Sequence, residues 1–134
     1  MLPKTHFWAS LVLATITFLV GWATPFQSFL IFFGGFLIDT DHYIWYVYNK
    51  KDWSLKKAYQ WHYALYIKKE KRKCLHVFHT VESFLVIILI SVFYAVFYYL
   101  FAGMAFHLLL DCIQAYQYGF YGKRISIISL LLKH

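Results

Sequence analysis

Asp39, Asp41 and His42 lie in the run GGFLIDTDHYIW (Gly34 to Trp45), inside a stretch that from Pro25 onward is otherwise suited to lipid. Ionisable side chains in such a stretch are costly, roughly 2.5–3.5 kcal/mol for each carboxylate at the centre of a membrane helix, and they generally mark function. Of the six acidic residues in the chain, Asp39, Asp41, Glu82 and Asp111 fall in apolar runs, accompanied there by His42, His76, His79 and His107. His6 opens the first of these runs. No Lys or Arg occurs from Thr5 to Asn49 or from Cys74 to Gly122, so these carboxylates have no basic side chain within their own helices to pair with.

Protonation would neutralise the carboxylates but leave five histidines without a purpose. A bound divalent cation accounts for both residue types. Imidazole with carboxylate suits a transition metal, zinc first with manganese or iron as alternatives, better than calcium or magnesium. The spacing supports convergence, because residues three or four apart share a helix face. Asp39 and His42 are i, i+3; His76, His79 and Glu82 form an i, i+3, i+6 stripe; His107 and Asp111 are i, i+4. The ligand pool is therefore His6, Asp39, Asp41, His42, His76, His79, His107 and Asp111, for one or two ions. Asp41 and Glu82 are the catalytic assignments, with Glu82 the choice for general base because it flanks the stripe without being needed as a ligand.

The elements that must hold these residues are helices. The chain of 134 residues is 61% hydrophobic, 23% aromatic and only 14% charged, which departs from soluble domains toward membrane proteins. Its length permits one domain, read as an all-α bundle of four transmembrane helices at about 6–22, 25–48, 75–93 and 97–118. Gly21, Thr24 and Pro25 mark the first turn, and the Gly34-Gly35 pair suggests close helix packing.

The net charge of +7 does not form a nucleic-acid groove. Nine of the 13 basic residues lie in the connection 49–74 and the rest near the termini, which places both termini and this connection on the cytoplasmic side of the membrane. Within the connection, Leu55, Ala58, Tyr59, His62 and Tyr66 follow helical spacing after a Ser54 N-cap, predicting an amphipathic helix in the headgroup plane held by anionic lipid. His62 is read as an interface residue of that helix. Cys74 and Cys112 have no paired spacing and are read as reduced thiols. The first apolar run, long and without a small-residue cleavage site, is expected to be retained and not removed as a signal peptide. A homo-oligomer is left open.

Depth gives an independent constraint, because partners in an antiparallel hairpin are equidistant from its turn. His6 and Asp39 to Asp41 have midpoints at residues 22 to 24, where the first turn is already expected. A common layer for His79 with His107 and Glu82 with Asp111 requires the second turn between Phe93 and Phe97, although Ala102-Gly103 is the weaker helical pair.

Thr5-His6, GGFLIDTDH (Gly34 to His42), HVFHTVES (His76 to Ser83) and GMAFHLLLD (Gly103 to Asp111) together resemble, in order and spacing over most of the chain, a family of small prokaryotic membrane-bound proteins described as metal-dependent hydrolases. Many of its members carry H-R-G-x-T-H-S where this chain has HVFHTVES, so the roles of His76, His79 and Glu82 stay open at this point. The resemblance implies a hydrolase. A site near the cytoplasmic face beside a basic segment would take a phospholipid or a polyprenyl phosphate. Competing readings are a non-catalytic membrane protein that binds or transports metal, and a histidine-ligated haem bundle, which would leave the carboxylates unexplained.

Overall fold

The computed structural model describes residues 3–67 and 77–117, and in them the chain is all-helical. Helix α1 spans Pro3–Leu19, α2 Pro25–Leu37, α3 Thr40–Lys50 and α4 Leu55–Ile67; a single 3₁₀ turn, Val77–His79, leads into α5, Val81–Phe93, and α6 covers Phe97–Gln117. The expected ligand His76, together with Cys74 and the charge run from Lys68 to Lys73, lies outside the described residues.

The first hairpin turns where Gly21 takes a positive φ of 75°, a conformation that glycine adopts without strain. Thr24 then caps α2 reciprocally with Gln27: the Gln27 N–H donates to the Thr24 hydroxyl and the Thr24 N–H to the Gln27 side chain, with Pro25 in the first turn. The second reversal occupies 94–96, between α5 and α6, inside the segment that depth matching required. The Phe84–Phe101 ring contact, at 5.9 Å between centroids, packs the two arms together.

Two of the expected spans are interrupted. The run 25–48 is two helices, interrupted at Ile38 and Asp39, and the described part of the run 75–93 becomes α-helical after Thr80, which caps α5 by accepting the Ser83 N–H. Among the described residues one helix, α6, has a stretch long and apolar enough to cross a membrane, Phe97–Gln114; α5 is a shorter apolar helix. The breaks have a reason in the residues around them. In one continuous helix Asp39 and Asp41, two residues apart, would point about 200° from each other. Here Asp39 is the N-cap of α3 and Asp41 lies in its first turn, and both carboxylates reach His42 and His79.

Packing is inverted relative to a soluble bundle. His6, Ser10, Ser28, Asp41, Ser91, His107 and Asp111 are buried, whereas Trp8, Leu19, Phe26, Leu85, Leu89 and Val92 are exposed. Apolar surface on this scale, wrapped around a polar interior, marks a surface that meets lipid or a partner. With few large side chains inside, the helices meet through glycine. A Cβ on Gly34 would collide with the Leu100 carbonyl and come within 3.1 Å of the Met104 nitrogen; one on Gly103 would collide with the Ile31 carbonyl and stand 2.9 Å from the Gly35 nitrogen. Both collisions are with backbone, which cannot swing aside.

In α4 the inward face is not the whole expected stripe. Ala58 is buried, Trp61 packs at a tilt against Tyr46 and His62 reaches His42, but Leu55 and Tyr59 are exposed. The helix does start as expected, with the Lys57 N–H donating to the Ser54 hydroxyl. Asp52 fixes the approach by accepting from the Ser54 N–H and the Lys57 ammonium, and this pairing holds its carboxyl below the ordinary value.

Replacing Gly103 with Ala should destabilise the protein by about 1–3 kcal/mol, the usual cost of overpacking, although Ala is the better helix former by up to about 1 kcal/mol. Unfolding of the detergent-solubilised chain by graded denaturant measures this. A stability gain would mean that α2 and α6 are not held at the described separation.

Candidate metal centre

His107 lies in the middle of α6, fully buried, where Gly103 has allowed α2 to come close. Its Nδ1 is 2.8 Å from the Gly35 carbonyl oxygen. A carbonyl only accepts, so Nδ1 carries the proton and Nε2 of the neutral ring is a lone pair. His79, in the 3₁₀ turn, is arranged in the same sense by a different group: its Nδ1 is 3.2 Å from Asp41 Oδ2. Its Nε2 therefore also presents a lone pair when the ring is neutral. The two Nε2 atoms face each other at 3.1 Å. Two lone pairs at that distance repel unless something electrophilic lies between them, a proton on one ring or a metal ion shared by both.

A third donor decides what the arrangement fits. Asp39 Oδ1 is 3.5 Å from His107 Nε2 and 3.6 Å from His79 Nε2. With the 3.1 Å edge these make a nearly equilateral face. Ligands about 2.0–2.1 Å from one tetrahedral zinc ion stand roughly 3.3–3.4 Å apart, so the three donors are spaced as such ligands are. Asp111 Oδ2 is the next donor, 3.9 Å from His79 Nε2 and 4.0 Å from His107 Nε2.

His6 closes the inner side. Its ring stacks on that of His107, with centroids 3.8 Å apart and planes 18° from parallel, and it is completely buried. Its Nε2 lies 3.4 Å from Asp111 Oδ1, within ion-pair range but outside hydrogen-bond geometry, so neither ring nitrogen is hydrogen-bonded. A buried polar group left in that state costs about 1–3 kcal/mol. An ion would relieve it, which is a second indication that the donor set suits a metal.

Seven of the eight expected ligands thus come together. The groups with metal-ligand proximity are His6, His107 and Asp111; Asp39, His79 and His107; and Asp41, His42 and His79. They are not independent, because His107 has one nitrogen to give and belongs to two of them. One ion would be held by Asp39, His79 and His107, while Asp111 is grouped with His6 and His107. A second would draw on Asp41 and His42 and share His79 with the first.

Asp41 has a different job from Asp39. One of its oxygens accepts from the Phe78 N–H at 3.0 Å and faces His79 Nδ1; the other is 2.8 Å from His42 Nδ1. It ties the 3₁₀ turn to α3 and aims His79, as carboxylates behind ligating histidines commonly do. The expected stripe of His76, His79 and Glu82 does not exist as a helix face, because Thr80 caps α5 and His79 precedes it. Glu82 sits half-buried in the first turn of α5, outside the three donor groups.

His62 was expected at the lipid interface, and the structure instead brings it to the rim of the centre. Its Nε2–H donates to the His42 carbonyl at 2.8 Å and its ring packs against that of His42. Burial holds this imidazole below its ordinary pKa, with the hydrogen bond to His42 opposing, so it is neutral near pH 7. Access also lies on this side. Side-chain exposure is 26% for His42 and 18% for Asp39, against 0% for His6 and His107.

Compared with protein-family models, with curated proteins and with solved structures, the chain gives no match.

Replacing Asp41 with Asn should weaken zinc binding by about 10- to 100-fold, the usual effect of losing such support, and Asp39→Asn, which removes a ligand, should weaken it more. Competition against a zinc-chelating dye measures both. Equal losses would mean that Asp41 binds the ion directly.

Proposed function

We propose that this chain is a membrane-embedded, metal-dependent phosphoesterase whose centre opens toward the cytoplasmic face of a prokaryotic inner membrane and whose substrate is a lipid phosphate, either a phospholipid or a polyprenyl phosphate. This is also the activity implied by the resemblance of Thr5-His6, GGFLIDTDH, HVFHTVES and GMAFHLLLD to the membrane-bound metal-dependent hydrolases. The observation that carries it is the triangle of Asp39, His79 and His107 with one partly exposed edge. Structural metal sites are closed by their ligands, whereas a catalytic one keeps a position open.

Zinc suits this nitrogen-rich donor set best, with manganese and iron as alternatives. The chemistry such an ion supplies is Lewis acidity toward a phosphoryl oxygen and a water whose pKa falls toward about 7. Around it, Asp41 holds His79 and His42 in place, and His62 fastens the start of α3 by its carbonyl. Beyond them, the α3–α4 corner gathers positive charge. Lys50 stands 5.9 Å from the Trp61 ring centre, Lys51 4.8 Å from that of Tyr48, and Lys56 and Lys57 begin α4. These cations would draw an anionic headgroup to the open edge.

The membrane placement takes α1, α2 with α3, α5 and α6 as four membrane segments. It is supported by the exposed apolar exterior and by the positions of the two helix breaks. Non-helical backbone at membrane depth is tolerated where it is buried or lines a site, and both breaks, at Ile38–Asp39 and before Thr80, adjoin the donors. The segments are short as helices because they are interrupted at the site.

The test uses the full chain purified without chelators. Elemental analysis should find at least one transition-metal ion per chain, and phosphate release from detergent-dispersed lipid phosphates should vanish on metal removal, return with zinc or manganese, and be absent in His107→Ala. Loaded protein that releases no phosphate, yet carries metal into liposomes, would assign the centre to transport instead.

A further inference from the structure

The outer face of α1 holds a feature that the metal centre does not use. A groove of about 740 Å³ runs along it, lined by Lys4, Trp8, Ala9, Val12 and Ile16 of α1 and by Phe106 of α6. Its walls are apolar and open: Trp8 is 63% exposed, Val12 54% and Ile16 50%. Lys4, at one end, is its one charged residue among the described residues, and no other Lys or Arg follows in the chain before Lys50.

From Lys4 to Ile16 the helix rises about 18 Å. That is slightly more than half of a hydrocarbon core of about 30 Å, so the groove has the depth of one leaflet. Its charged end is the end nearer the metal centre, since His6 follows Lys4 by two residues on the same turn and Phe106 precedes His107. A lysine at a membrane boundary lays its stem on apolar surface and sends its ammonium to the headgroups, and Lys4 also lines a smaller hollow with Phe7, Trp8 and Phe36. The walls match an acyl chain and the end matches a phosphate.

We propose that this groove binds one anionic glycerophospholipid of the cytoplasmic leaflet, an acyl chain lying from Lys4 to Ile16 and its phosphate paired with Lys4. The inference rests on the membrane placement proposed above and concerns a lipid held against α1, on the closed His6 side of the centre and apart from its open edge at His42 and Asp39. A chain one leaflet long fills the groove, whereas a polyprenyl chain greatly exceeds it.

The test is lipid retention by the full chain in detergent, followed by native mass spectrometry, with three probes: dioleoyl phosphatidylglycerol, dioleoyl phosphatidylcholine, which has the same chains without net charge, and a polyprenyl phosphate. One phosphatidylglycerol per chain is expected in preference to the other two. Lys4→Glu, a surface change, should reduce its retention by about five-fold or more, and Ala9→Phe, which fills the groove, should abolish it. Both variants should keep the metal content of the wild type, which verifies folding. Equal retention of phosphatidylcholine, or retention unchanged in Lys4→Glu, overturns the headgroup assignment; preference for the polyprenyl phosphate overturns the chain assignment. Phosphatidylglycerol retained as expected by a protein inert toward every lipid phosphate would instead defeat the phosphoesterase reading and leave the groove standing.

Discussion

The approach of α2 to α6 governs the rest of the structure. Gly34, Gly35 and Gly103 bring one helix backbone against the other, so that the Gly35 carbonyl, which would ordinarily serve only its own helix, also meets the Nδ1 of His107. That contact orients a buried imidazole and settles which nitrogen is protonated. Everything that makes the centre a ligand set follows: His107 Nε2 points at His79 and Asp39, and His6 has a flat partner on which to stack. On the membrane placement proposed above, the hydrophobic effect does little to hold helices together, so close backbone packing and polar contacts of this kind would carry the association. The same few residues therefore hold the fold and aim the chemistry.

Carboxylates in such an interior need compensation, and the chain supplies it by shape as well as by charge. At the start of α3 the Asp39 and Asp41 carboxylates both reach His42 and His79. The 3₁₀ turn before Thr80 offers a backbone N–H, that of Phe78, to Asp41, which a helix interior would have used for itself. Helical regularity is given up at two places, and both losses are taken up by the donors.

Much of the centre was legible from residue types because an apolar sequence makes each His and Asp conspicuous. Asp39, Asp41, His42, His79, His107, Asp111 and His6 all stand out for that reason, and the equal-depth relation agrees with the first turn, which Gly21, Thr24 and Pro25 mark, and places the second. What periodicity could not reveal was where a helix stops. The His76, His79 and Glu82 stripe assumed an unbroken helix, and the run 25–48 showed no break because Ile38 and Asp39 are not proline or glycine. Both keep right-handed helical backbone angles, so the interruption is a small one that local propensity does not encode. His62 was misplaced for a related reason. Its neighbours in sequence are aromatic and basic, the composition of a lipid interface, while its partner, the His42 carbonyl, lies 20 residues away. Thr80, by contrast, is a residue type favoured at helix starts, and Glu82 follows within the first turn; that local signal could have separated Glu82 from the stripe.

The division of labour between Asp39 and Asp41 follows from what each oxygen touches, and it bears on why two carboxylates are spaced by one residue. Asp41 spends its oxygens on Phe78, His79 and His42, groups that need orienting. Asp39 directs an oxygen toward the nitrogens His79 Nε2 and His107 Nε2, which need a shared cation. In a regular helix only i, i+3 or i, i+4 spacing would let two aspartates cooperate. Asp39 is the N-cap of α3 and Asp41 lies in its first turn, so the i, i+2 pair sits at one helix start, where both carboxylates reach His42 and His79. The DTDH tetrapeptide is therefore best understood as a helix start whose two carboxylates share these histidines and divide the work of orienting and ligating them.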